Sequence, residues 1–126
     1  MEVHIDLFGC KDEEDVLLRF GEILQLGGPK GNILISEIPE GKRGNFGWGI
    51  NWNAMDDCFY DLLEAGGMYG TSKKIVFPFF MFIYNFEDFK KLNPKGFKIL
   101  KEILDSHSKR HKKEGKRFKI EFVKSK

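Results

Sequence analysis

IVFPFFMFIY, residues 75–84, is the stretch on which the reading of the fold turns. It is nearly all apolar, contains Pro78, and is far too short to cross a bilayer as a helix. A run of this length and make-up suits a strand covered on both faces, as in a parallel sheet. Proline has no N–H to give to a ladder, so Pro78 belongs at the start of the strand or at a bulge.

Toward the C-terminus, Glu87–Leu92 reads as a short helical turn stopped by Asn93-Pro94. Phe97, Leu100, Ile103 and Leu104 then recur at helical spacing and carry a helix into Ser106–Lys113. Beyond Gly115, the alternation of Phe118, Ile120 and Phe122 with Lys119 and Glu121 predicts a closing strand.

Toward the N-terminus, Asn51 is a candidate N-cap for a helix over Trp52–Glu64, closed by Gly66-Gly67, with Met55, Cys58, Phe59 and Leu62 on its apolar side. Before it, Phe46–Ile50 is a glycine-aromatic loop. In Gly28–Gly44, Asn32–Ile38 reads as a short strand and Pro39-Glu40-Gly41 as a turn. A helix is expected over Asp12–Leu26: Val16, Phe20, Ile23 and Leu24 share a face, and Gly27-Gly28-Pro29 ends it. Asp12 with Asp15 forms a variant capping box, and the acidic first turn suits the helix dipole. Val3, Ile5 and Leu7 alternate with His4 and Asp6, a strand with one buried face. Helices between strands predict an α/β domain, a small parallel sheet with helices packed on it.

A chain of 126 residues fits one domain over 1–126, and 41% hydrophobic with 32% charged residues excludes wholesale disorder. The 13 Phe supply large buried areas for a small core. The net charge of +2 is unevenly placed: acidic at Asp12–Asp15 and Asp56–Glu64, basic from Lys90 onward. Cys10 and Cys58 show no CxxC spacing, and strand-like alternation from Met1 leaves no room for a signal peptide. Reduced thiols and a cytoplasmic location are expected, with no membrane insertion.

Catalysis finds little support, since GxSxG, HExxH, P-loop and Rossmann patterns are all missing. His107 and His111 have the i, i+4 spacing of two ligands on a helix, yet they stand in a cation-rich stretch without supporting carboxylates or thiols. Neither a metal nor a cofactor is expected. The basic tract Lys109–Lys119, with Phe118 and Phe122 close by, invites a nucleic-acid reading. The opposing reading, a solvated helix end followed by a core strand, is favoured, because a core phenylalanine cannot also stack on a base.

The helix at 52–64 carries a more informative surface. Asn53, Asp57, Tyr60, Asp61 and Glu64 fall on one face. Uncompensated carboxylates at this spacing cost ~0.2–0.5 kcal/mol per pair, a cost that a basic partner would reverse. Trp48 and Trp52 flank the glycines of the preceding loop, and an exposed tryptophan beside acidic groups is typical of a binding hot spot. Of the two, Trp52 is the candidate for burial.

FGWGINWNAMDDCF, residues 46–59, resembles the barstar family, intracellular inhibitors of the ribonuclease barnase. The family pattern is an aromatic, a glycine, then N-L-D-A-L-x-D-C; here Trp48, Gly49, Asn51, Trp52, Asn53, Ala54, Met55, Asp57 and Cys58 hold those places. Pro78–Phe86, Phe97–Leu104 and Phe118–Val123 are similar in pattern, and Gly28–Gly44 and Ala65–Lys73 look like insertions. The resemblance implies a three-stranded parallel sheet with helices, and an acidic helix that plugs a basic nuclease active site in place of substrate phosphates. On that resemblance Asp57 matches the principal acidic anchor, Trp48 an aromatic that covers the cleft, Gly49 the turn and Asn51 a polar loop contact. Asn53 replaces a second acidic anchor, Asp56 takes an aromatic contact position, and Asp105 corresponds to a further acidic contributor. With Phe46 and Asp61, these residues make up the expected partner-binding set.

The family is acidic whereas this chain is slightly basic, so barnase itself is a poor target and another nuclease toxin fits better. The reading implied is an immunity protein of a bacterial toxin–antitoxin pair, monomeric when free. Alternatives from other classes are a nucleic-acid-binding module using 109–119, an enzyme, and a protein of the same fold that binds a non-nuclease partner.

Overall fold

The computed structural model describes residues 1–26, 51–64 and 75–124, with the backbone alone at 60–64. The expected strand at Asn32–Ile38, the turn at 39–41, the loop at 46–50, the Gly66-Gly67 stop and both expected insertions lie outside the described residues. The elements run β1 (Glu2–Asp6), α1 (Glu13–Leu24), α2 (Trp52–Glu64), β2 (Phe79–Tyr84), α3 (Glu87–Leu92), α4 (Pro94–Lys113) and β3 (Phe118–Val123). Backbone packing divides the chain into two compact units, Met1–Val16 with Val76–Lys126, and Leu17–Ile75.

The first unit holds a three-stranded, all-parallel sheet in the order β1-β2-β3. The apolar run at 75–84 supplies its central strand, and Pro78 stands just before that strand begins. One face is sealed: Val3, Ile5, Phe79, Met81, Ile83 and Phe118 are all buried. Each such side chain contributes about 1.5–3 kcal/mol over leaving it in water. Phe79 and Phe118, paired in register, stack at 5.0 Å. Phe86, Phe97 and Phe122 close on one another at 5.3–5.5 Å and join α3 and α4 to the same face.

The expectation that residues 75–84 are covered on both faces needs correction. Phe80, Phe82 and Tyr84 alternate with the buried residues and are only half-buried. Their ring faces gain cover from neighbours: the His4 ring stacks on Phe82 and Tyr84, and the Arg117 guanidinium lies over the Phe80 ring, 5.6 Å from its centroid. Aromatic residues therefore appear on both sides of β2, with α3 and α4 on one of them.

Local chemistry sets the helix ends. Asp12 accepts the Asp15 N–H at 3.0 Å, while the Asp15 carboxylate reaches back to Lys11 N–H at 2.9 Å, one residue earlier than in the standard box. α1 ends before the glycines expected to stop it, because Gln25 turns left-handed (φ 56°) and Leu26 N–H closes on the Gly21 carbonyl at 2.9 Å. Asn93 ends α3 and caps α4, its Oδ1 accepting Gly96 N–H at 2.9 Å, with Pro94 at the first helical position. At the far end of α4, Gly115 N–H bonds Lys112 O and Lys116 N–H bonds His111 O, a Schellman closure that requires the left-handed backbone Gly115 provides (φ 77°).

The histidines depart from expectation. His107 and His111 are buried inside α4's apolar side instead of lying on a cationic surface, and the His111 ring packs 5.4 Å from Phe77. Among the described residues no group of three His, Cys, Asp or Glu is placed to hold a metal. Cys10 and Cys58 are both buried, and neither forms a disulfide.

Candidate partner-binding site

α2 belongs to the second unit, and its start is fixed by Asn51. The Asn51 side chain accepts Ala54 N–H at 2.8 Å and its carbonyl accepts Met55 N–H at 2.9 Å, satisfying donors that a helix N-terminus leaves open. Trp52, Met55, Cys58 and Phe59 follow at helical spacing and are all buried. Phe59 meets Phe20 of α1 edge to face, with centroids 6.3 Å apart. Trp52 is buried, as expected of it, and its indole N–H finds no acceptor among the described residues.

Burying one stripe forces the other outward. Asn53, Asp56 and Asp57 are exposed, with Asn53 and Asp57 one turn apart. Asp57 makes no ion pair among the described residues, so its charge is available to a partner. Asn51 is exposed as well, at the head of the same surface. A helix capped at its N-terminus that holds these groups in solvent can meet cationic side chains or hydrogen-bond donors.

The remaining expected residues fall elsewhere. Phe46, Trp48 and Gly49 lie outside the described residues, as does the Asp61 side chain. Asp105 is on α4 in the first unit, exposed, along a groove of about 510 Å³ that it shares with Lys112, Lys116, Arg117 and Lys119. Its electrostatic setting is therefore cationic, unlike that of Asp57. The nearby Phe118 is buried and stacked on Phe79, so it has no ring face to offer a base.

Sequence reasoning missed the outer surface of the sheet, where Phe80, Phe82 and Tyr84 line up beside His4. An unbroken apolar run carries no alternation to mark which residues face out; the charged alternation of Glu2, His4 and Asp6 in β1 was the available signal.

No described helix is long and apolar enough to cross a membrane. No curated protein matches the sequence. A family model described as Barstar (barnase inhibitor) matches residues 42–123, a span that takes in α2 and continues through β2, α3, α4 and β3. That span is well over half of the chain, and the protein belongs to the Barstar (barnase inhibitor) family.

Proposed function

We propose that this protein is a single-domain, non-enzymatic inhibitor that blocks the active site of a nuclease toxin with the exposed face of α2 and the loop that precedes it. The observation that carries the reading is the two-sidedness of α2: Trp52, Met55, Cys58 and Phe59 anchor it, while Asn51, Asn53, Asp56 and Asp57 are presented to solvent. In this reading Asp57 takes the place of a substrate phosphate, and Asn51 and Asn53 supply hydrogen bonds. Phe46, Trp48, Gly49, Asp61 and Asp105 complete the proposed partner-binding set. The partner is a nuclease with a basic cleft, because phosphate-binding Arg and Lys are what a carboxylate projecting from a helix matches. Immunity against a bacterial toxin in the cytoplasm is the setting that fits two buried cysteines without a disulfide and such a target.

The test is an inhibition titration. RNA hydrolysis by small toxin ribonucleases is measured against rising amounts of the chain. Stoichiometric inhibition of one of them, lost on Asp57→Ala, supports the reading. A partner captured through α2 that has no nuclease activity overturns it.

A further inference from the structure

The sheet of the first unit has a second face that α3 and α4 leave uncovered, since both reach the sheet through Phe86, Phe97 and Phe122 on the buried side. Strand register arranges this outer face in three rows: Glu2, Phe80, Lys119; then His4, Phe82, Glu121; then Asp6, Tyr84, Val123. Phe80, Phe82 and Tyr84 form a half-buried aromatic stripe down the centre, with exposed charges on either flank. A depression of about 250 Å³ opens among Glu2, Phe80, Phe82, Lys119 and Glu121. The Lys119 ammonium makes no ion pair among the described residues.

This stripe is poorly suited to stacking nucleic-acid bases. The His4 ring already stacks on Phe82 at 5.1 Å and on Tyr84 at 5.7 Å, and Glu2 and Glu121 would repel a phosphate backbone. It suits a protein surface with its own symmetry. A two-fold axis parallel to the strands keeps each row level with itself and exchanges the two edges of the sheet. Glu2 then faces the Lys119 of a second copy, Lys119 faces the second copy's Glu2, His4 faces Glu121, and the aromatic stripe meets itself. A two-fold axis across the strands instead sets β1 against β1 and brings its acidic residues together.

We propose that the outer sheet face, bearing Glu2, His4, Phe80, Phe82, Lys119 and Glu121, is a self-association surface that pairs two copies of this chain face to face about a two-fold axis parallel to the strands. The contact is isologous, so every favourable pair occurs twice. It stands apart from the α2 reading. Three strands about 4.8 Å apart and five residues rising about 3.3 Å each give a patch about 14 Å by 17 Å. That is smaller than a standard interface, so the dimer is weak and concentration-dependent.

Sedimentation equilibrium of the full chain over about 20 µM to about 1 mM reads the association. The weight-average mass of the wild type is expected to rise toward twice the chain mass. Glu2→Lys and Lys119→Glu, both on exposed side chains, each set like charges against each other at two places and lower association roughly tenfold. An equimolar mixture of the two variants restores it, because each copy then faces opposite charges. A wild type that stays at chain mass throughout, or a mixture no better than either variant alone, overturns the proposal. Inhibition of a nuclease through α2 is read separately and is unaffected by either result.

Discussion

Asp57→Ala separates a binding role from a structural one, because the two effects differ in sign. Asp57 is exposed in the middle of α2 and has no ion pair among the described residues. Alanine is the better helix former by up to ~0.7 kcal/mol, and exposed substitutions away from caps stay within about 0.5 kcal/mol. Folding stability is thus expected to hold or rise slightly, with an unchanged urea m-value. In the complex the same carboxylate would be desolvated against a cationic group, and truncating such a central hot spot costs at least ~2 kcal/mol, roughly 30-fold in Kd. Most of that loss belongs in the dissociation rate, because removing a buried charge leaves its partner unpaired. Urea unfolding of the free protein and surface plasmon resonance on the inhibited nuclease give the two numbers. A Kd within threefold of wild type, or a loss of binding matched by an equal loss of folding stability, refutes the reasoning.

Phe59→Ala, at a fully buried site packed edge-on against Phe20, is expected to cost about 3–5 kcal/mol by denaturant titration, a large share of a small domain's stability. Asn51→Ala removes the acceptor for Ala54 N–H and should cost about 1 kcal/mol, while Asn51→Asp keeps the cap and restores stability. Asn93→Ala should cost a similar ~1 kcal/mol through the first turn of α4, since Gly96 N–H loses its acceptor; amide hydrogen exchange at Gly96 would report it. Raising salt should slow association with a basic nuclease only modestly, because a chain of net charge +2 steers through the α2 patch alone.

The legible parts of this protein are those governed by neighbours in the chain. Asn51 as a cap, Trp52–Glu64 as a helix and the alternating strands at both ends follow from periodicity and capping chemistry, which act over a few residues. The exposed side of α2 was legible for the same reason: once Trp52, Met55, Cys58 and Phe59 take the inner side, Asn53 and Asp57 have nowhere to go but out. The end of α1 was misplaced by a similar local effect, because Gln25 adopts a left-handed backbone that residue type alone favours for glycine or asparagine.

The sequence by itself determined the order of the described elements, the two sides of α2 over Asn51–Phe59 and the apolar character of residues 75–84. Only tertiary structure decided that β2 is the central strand, that Phe80, Phe82 and Tyr84 face outward, that His107 and His111 are buried, and that Glu2 and Lys119 stand level on opposite edges of one sheet. The physical reason is range. Helix and strand patterns are written in side chains a few positions apart, whereas strand order and register depend on pairings between residues some eighty and forty positions apart, such as Glu2 with Phe80 and Phe80 with Lys119. Nothing local distinguishes the partners in those pairings until the chain closes on itself.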